Sequence, residues 1–363
     1  MSSGTAGLPA HLLRQSIRRQ LLAWFSRHRR DLPWRQTRDP YAILVSEVML
    51  QQTQVATVIP YYERFLAAFP TVRHLAAAPE ERVLRLWEGL GYYRRARSLH
   101  RCARLLVQHY GGSIPDDPHA LAELPGMGRY TVAAVLSQAY ERRLPILEAN
   151  SRRLLARLFA SEDKRLHRPT DSRLWQLAEA LLPRRRVGEF NQALMEIGAL
   201  VCTPAKPRCD ECPLRRQCRA RVLGLAEKLP LRPSPPRTEF VPEVAVVPSH
   251  LGWVLILERP DHGRWAGLWE FPRGTIREGE ATADAARRIL RELAGLDATP
   301  GPAIATLSYS VTRFRMRMIC LRARCRGQSF TATYHAGGKW VRPEELARLP
   351  LSAPQRRLAK QLG

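Results

Sequence analysis

Near residue 225 the apolar residues of this chain change their period, which points to two domains of different class. From about 11 to 222 they recur at intervals of three and four, as in PYAILVSEVMLQQTQVATVIPYYERFLAAF, EERVLRLWEGL and TVAAVLSQAYERR. Pro or Gly sets these stretches apart, so they read as helices. LPLRPSPPRTEFVP follows as a semi-rigid connector poor in core residues. Beyond it EVAVVP, GWVLILE and FRMRMICLRA alternate as strands, while ATADAARRILRELAG and VRPEELARL keep a helical pattern. The expectation is an all-α region over 1–225, a Pro-rich linker over 226–239 and a smaller α/β domain over 240–363.

Charge narrows the partners. Lys and Arg total 58 against 33 Asp and Glu, a formal charge of +25 shared by both halves. Such an excess predicts a polyanion, and the lack of a long apolar span favours nucleic acid over membrane. The arginine-rich start, HLLRQSIRRQLLAWFSRHRR, has no secretory apolar core; it reads as an amphipathic helix with Leu13, Ile17, Leu21 and Phe25 on one face. A cytoplasmic, bacterial protein held at the nucleoid through DNA is the corresponding expectation.

Four of the seven cysteines, Cys202, Cys209, Cys212 and Cys218, are spaced C-x6-C-x2-C-x5-C. Thiolates this close need a cation between them, so the segment reads as a metal centre in a reducing compartment rather than a disulfide framework. Spacing alone does not choose the metal and leaves zinc open. Lys206, Arg208, Arg215, Arg216 and Arg219 give the loop the charge of a phosphate neighbour. Cys102, Cys320 and Cys325 read as small buried hydrophobes.

Three further stretches bear on chemistry. In LPGMGRYT, Gly126 and Gly128 allow a tight turn whose amides, with the next helix N-terminus, suit a DNA phosphate; an ordinary interhelical turn has the same look. In SEVMLQQTQV, Glu47 shares a helical face with Ile43, Leu44 and Leu50, and a carboxyl desolvated there acquires a raised pKa suited to a general acid. In TRFRMRMIC, Arg313, Arg315 and Arg317 alternate with Phe314, Met316 and Met318, giving either a solvated face or one turned to phosphates.

Together DLPWR, SEVMLQQTQVATVIPYYERF, WEGLGYYRRAR, LPGMGRYT, the cysteine loop and GRWAGLWEFP resemble the MutY-type adenine DNA glycosylases of the helix-hairpin-helix, endonuclease III superfamily. The likeness spans about residues 20–350. It implies a helical glycosylase fold with a [4Fe–4S] loop at 202–218, held by the four cysteines, and a C-terminal Nudix-like domain that recognises 8-oxoguanine. The implied substrate is double-stranded DNA with an A:8-oxoG or A:G mismatch, acted on by a monomer.

Residue by residue, the resemblance makes Glu47 the acid that protonates adenine N7 and lines the adenine pocket with Arg35, Leu50 and Gln192. Gln52, Thr53, Leu90 and Tyr92 would meet the 8-oxoguanine side and wedge into the stack; Leu90 and Leu50 also read as core, and Tyr92 as a packing aromatic. Tyr130 occupies the place where bifunctional relatives carry a Schiff-base lysine, so base removal without strand cleavage is expected.

The chain also departs from the family pattern. Where an aspartate followed by Gly-Asn is usual, it has Glu148, Ala149 and Asn150, so the carboxylate that faces the developing sugar cation stands one methylene farther out. Pairing of Glu148 with Arg152 or Arg153 beside an Asn150 helix cap is the structural alternative. The Nudix-box outline, Gly274, Glu280, Arg288, Glu292 and Gly295, has Ile289 and Leu293 where hydrolases need glutamates, so a binding module without Mg²⁺ chemistry is expected. At the lesion-reading strand Val311, Thr312 and Arg313 keep the hydroxyl alone. Rival readings are a catalytically silent lesion-binding protein and another mismatch glycosylase of the superfamily.

Overall fold

The computed structural model describes residues 9–161, 169–231 and 237–362. It divides into two compact units, Met1–Arg73 with Arg101–Ser234, and His74–His100 with Pro235–Gly363. Residues 74–100, which the sequence pattern assigned to the helical region, thus belong to the second unit. Of the expected linker 226–239, residues 232–236 lie outside the described residues.

The helices are α1 (His11–His28), α2 (Pro40–Leu50), α3 (Val55–Ala68), α4 (Val72–Ala77), α5 (Glu80–Trp87), α6 (Arg94–Tyr110), α7 (Pro118–Ala122), α8 (Arg129–Tyr140), α9 (Ala149–Leu158), α10 (Asp171–Leu181), α11 (Val187–Leu200) and α12 (Arg219–Val222). In the first unit Ile17, Leu21 and Phe25 of α1 pack with Leu154 and Leu155 of α9, Leu177 of α10 and Phe190, Leu194 and Ile197 of α11. Each such burial contributes about 1.5–3 kcal/mol. Helix α2 is buried from Tyr41 to Met49 and packs on α8. Asp39 caps it by accepting the amides of Tyr41 and Ala42, and Pro40 occupies its first turn.

The long helical pattern of 40–69 is interrupted at 51–54, where Gln52 adopts φ 59°. That break lets Gln51, Gln52 and Thr53 leave the helix axis at the end that carries Glu47. Helices α9 and α11 also approach unusually closely. A Cβ at Gly198 would lie 2.6 Å from Cβ of Asn150 and 2.8 Å from its carbonyl oxygen, so only glycine fits.

The second unit holds a mixed sheet of β1 (Glu239–His250), β2 (Trp253–Glu258), β3 (Trp269–Glu270), β4 (Arg273–Thr275), β5 (Ala298–Val311), β6 (Phe314–Cys325) and β7 (Gly337–Val341). Its main path is β3-β2-β1-β6-β5, with β4 on β1 and β7 on β2. Strands β1 and β6 are parallel from Glu239↔Phe314 to Ser249↔Arg324. On one face Val244, Val246, Leu255 and Leu257 pack under Ala285, Ala286, Ile289 and Leu290 of α13 (Thr282–Ala294). The other face joins Ala245, Val247, Ile256 and Phe271 to Leu346, Leu351 and Leu358, the last on α14 (Ala353–Ala359).

Two elements differ from the sequence pattern. VRPEELARL forms a short 3-10 turn at Pro343–Ala347, set by the proline in its first turn, rather than an α-helix. Strand β5 was masked by its Thr-Pro-Gly-Pro start, which bulges against β6 near Pro300 and Ala303.

Candidate active site

Glu47 is 3 % exposed in a helix whose other residues are uncharged. Its Oε2 accepts the hydroxyl of Tyr130 at 2.7 Å and its Oε1 accepts Nε2 of Gln138 at 2.8 Å, both from α8. Burial pushes this carboxyl above the usual carboxylate range, and nearby Glu148 adds to the rise; the two hydrogen bonds and Arg35 act the other way. Burial and the adjacent carboxylates hold Tyr130 well above an ordinary phenol, so it stays protonated.

Glu47 sits in a pocket lined also by Trp34, Arg35, Leu50, Gln51, Gln52, Thr53, Tyr130, Glu148, Asn150, Gln192, Met195 and Glu196. Its cavity volume is about 560 Å³. Ligand pockets of roughly 300–1,000 Å³ enclose a drug-sized molecule, so a nucleoside has room. Among the described residues no lysine lines this pocket.

Arg35 is fixed there by Glu196, as is Arg30. Oε1 of Glu196 accepts Arg30 Nε at 3.0 Å and Arg35 Nη1 at 2.9 Å, and Oε2 accepts Arg30 Nη2 at 2.7 Å and Arg35 Nη2 at 2.9 Å. Burial alone would raise the Glu196 carboxyl, but the two guanidinium groups bring it down to about 2. Sequence reasoning missed Glu196 and Gln138. The signal was available: Glu196 is a lone acid inside NQALMEIGAL, as Glu47 is inside SEVML.

Glu148, not Asn150, is the cap of α9. Its Oε1 accepts the Ser151 amide at 2.7 Å and its Oε2 accepts the Asn150 amide at 2.8 Å and Asn150 Nδ2 at 3.1 Å. The Ser151 hydroxyl in turn accepts the Glu148 amide at 2.9 Å. Arg152 pairs with Asp171, and Arg153 turns inward. Its guanidinium donates to Asn150 Oδ1 at 2.8 Å, to the Gly198 carbonyl at 2.7 Å and to the Cys202 carbonyl at 2.7 Å.

The four loop cysteines line one cavity together with Arg157, Arg208, Arg215 and Arg221. Buried Arg157 donates to Cys202 Sγ at 3.3 Å. Burial, reinforced by Cys202, Cys218 and Cys209, pushes the Cys212 thiol up to about 12. Among the described residues no three His, Cys, Asp or Glu side chains converge on one ion position. Four soft sulfur donors lining one cavity suit a thiophilic metal centre, either zinc or an iron–sulfur cluster.

In the glycine turn before α8, Gly126 has φ 84° and requires glycine. Gly128 caps α8 at φ −76°, and a Cβ there would meet nothing within 4 Å, so its open face rather than backbone strain sets it apart.

In the second unit Tyr92 is 54 % exposed at φ 48°, whereas Leu90 is buried. Leu90 is therefore a core residue of its loop and only Tyr92 is presented to solvent. Thr312 and Arg313 form the exposed turn between β5 and β6; the Thr312 hydroxyl donates to the Val311 carbonyl, and Arg313 pairs with Glu239 at 3.0 Å. Arg315 and Arg317 are exposed and Met316 and Met318 buried, as the alternation predicts. In the Nudix-box outline Arg288 joins Glu280 at 2.7 Å and Glu292 at 3.3 Å, while Ile289 enters the core.

Comparison with known proteins bears on both units. Residues 45–180 match the HhH-GPD superfamily of base excision DNA repair proteins, and residues 243–361 match a NUDIX domain. The chain is 35 % identical to the adenine DNA glycosylase of Rattus norvegicus, over 94 % of this chain and 77 % of that protein. It is likewise 35 % identical to the Homo sapiens adenine DNA glycosylase, over 94 % and 73 %. A solved thermostable thymine-DNA glycosylase is 31 % identical, with a TM-score of 0.54 over 58 % of this chain and 97 % of that one. Extended identity over both domains, together with a buried glutamate in an open pocket, shows that the chain belongs to the adenine DNA glycosylase family.

Proposed function

We propose that the pocket excises adenine mispaired with 8-oxoguanine or guanine from duplex DNA, hydrolysing the N-glycosidic bond without cutting the strand. The carrying observation is Glu47, buried, held by Tyr130 and Gln138, and open to a cavity that also contains Glu148. Adenine turned out of the stack enters between Arg35, Leu50 and Gln192. The Gln138 amide nitrogen can only donate, so it reserves Oε1 as acceptor and leaves Oε2 as the atom that carries the proton. Tyr130, able to donate or accept, follows that proton as Oε2 passes it to N7.

As the base leaves as a neutral species, positive charge grows on the sugar. Glu148, at a helix N-terminus and tied by three hydrogen bonds, presents a fixed carboxylate to it. Asn150 orients that carboxylate. Tyr130 meets Glu47 with a phenol, which forms no Schiff base, so water rather than an amine completes the reaction and the enzyme is monofunctional.

Cys202, Cys209, Cys212 and Cys218 would hold the [4Fe–4S] cluster, which when bound supplies the positive charge that offsets four thiolates and closes the loop. DNA phosphates meet the open face of Gly128 and the basic loop. Gln52 and Thr53 at the pocket mouth face the lesion strand, and Tyr92 enters the stack. The Thr312–Arg313 turn offers a hydroxyl and a partly neutralised guanidinium, so A:8-oxoG is preferred over A:G only weakly; Thr312→Ala and Arg313→Ala should each change that ratio. All these residues lie in one chain, so a monomer suffices. Among the described residues no helix is long and apolar enough to cross a membrane.

Single-turnover excision on a duplex with one A:8-oxoG pair tests the reading, with matched A:T and C:8-oxoG duplexes alongside. Strand breaks only after alkali, and only from the mismatch, are expected. Tight binding without breaks would favour the non-catalytic alternative.

A further inference from the structure

The exposed Tyr92 sits in a loop whose backbone runs through the left-handed region and is held by both local and distant contacts. Gly89, Gly91 and Tyr92 have φ of 104°, 71° and 48°, and for a tyrosine the left-handed region is unfavourable. Local contacts hold part of the loop: Trp87 Nε1 donates to the Gly91 carbonyl at 3.1 Å, and the Arg95 guanidinium lies 5.5 Å from both the Trp87 and Tyr92 rings.

Further restraint comes from the far end of the sequence. Loop residues 89–92 are flanked by Glu88 and Tyr93, and both flanking side chains hold the same peptide residue, Leu351. Glu88 Oε2 accepts the Leu351 amide at 3.3 Å, and the buried Tyr93 hydroxyl donates to the Leu351 carbonyl at 3.1 Å. Arg356 on α14 completes the clasp. Its Nε donates to Glu88 Oε1 at 2.6 Å and its Nη2 to Oε2 at 2.9 Å, while its Nη1 and Nη2 also hold the Leu346 and Leu349 carbonyls, each at 2.5 Å. Both ionic side chains are largely buried, at 9 % and 14 % exposure, where a paired charge is screened little by salt.

We infer that Glu88, Tyr93 and Arg356 are positioning residues for Tyr92, so that the C-terminal unit sets the aromatic wedge that enters the duplex. This rests on the reading of Tyr92 as that wedge. Neither Glu88 nor Arg356 touches the reacting atoms; each acts through the loop it clasps.

The test uses the full chain and a duplex with 2-aminopurine next to 8-oxoguanine, whose fluorescence rises when its stacking is broken. At saturating protein, the parent should brighten the probe and Tyr92→Ala should not. Arg356→Gln and Glu88→Gln should each lose at least half of that brightening at a temperature well below their unfolding midpoints. Tyr93→Phe, which removes a single hydrogen bond, should show an intermediate loss and keeps the test open if an arginine variant fails to fold.

A dark Tyr92→Ala complex beside fully bright Arg356→Gln, Glu88→Gln and Tyr93→Phe complexes would overturn the clasp and leave the wedge standing. A fully bright Tyr92→Ala complex would instead remove the wedge reading on which the clasp depends.

Discussion

The Tyr130 hydroxyl lies 2.7 Å from Glu47 Oε2, while Gln138 occupies the other oxygen at 2.8 Å, so one carboxyl is gripped from two turns of the same helix. Burial outweighs this grip and raises the carboxyl's pKa. A carboxyl raised in the folded state lends stability below its unfolded pKa and loses it as pH rises through the folded value. Glu47→Gln should therefore melt higher than the parent at pH 8, with the gap closing towards pH 4. Its excision rate should fall by roughly 10²- to 10⁴-fold, the usual contribution of a general acid. Parent-rate excision by this variant would refute the assignment.

Tyr130→Phe removes a bond that lowers the Glu47 pKa. The acid should then hold its proton to higher pH, and the alkaline limb of the single-turnover profile should move upwards. An unmoved limb would show that the phenol does not bear on the proton of Glu47.

Glu148→Gln separates cap from charge. Loss of a good N-cap costs about 1 kcal/mol, which denaturant titration reads directly. Loss of a preorganised charge at the reacting centre typically costs about 10²- to 10³-fold in rate. Weakened folding with parent-like excision would mean that Glu148 only begins α9.

Glu196→Gln should strand two arginines in partly buried positions and destabilise the first unit by roughly 3–5 kcal/mol. The parent carries the matching acid weakness. A carboxyl held at about 2 gives stability that is complete above its unfolded value near 4.5 and is lost as pH falls towards 2. Denaturation midpoints between pH 5 and 2 should fall more steeply for the parent than for the variant.

The sequence showed most of what periodicity and composition can carry. Helical and alternating stretches, the burial of Glu47 and the buried faces of Met316 and Met318 follow from spacing, because each depends on which side of one element a residue faces. Gln138, Glu196 and the clasp on Leu351 depend on which elements meet, over separations such as the 91 residues between Glu47 and Gln138. No local pattern encodes that. Leu90 was ambiguous for the opposite reason: a leucine suits a wedge and a core equally, and only its surroundings decide.

The contact at Gly198 sets a tolerance on everything around it. Its hydrogen occupies the gap to Asn150, its carbonyl receives Arg153, and the same guanidinium reaches Cys202. One added methyl would push apart the helix bearing Glu148 and the helix bearing Gln192 and Glu196. A genetic screen for loss of repair should therefore return Gly198 as often as the residues that face the base. An investigator mapping such alleles would find a hot position with no reactive group, whose whole contribution is the space it leaves empty.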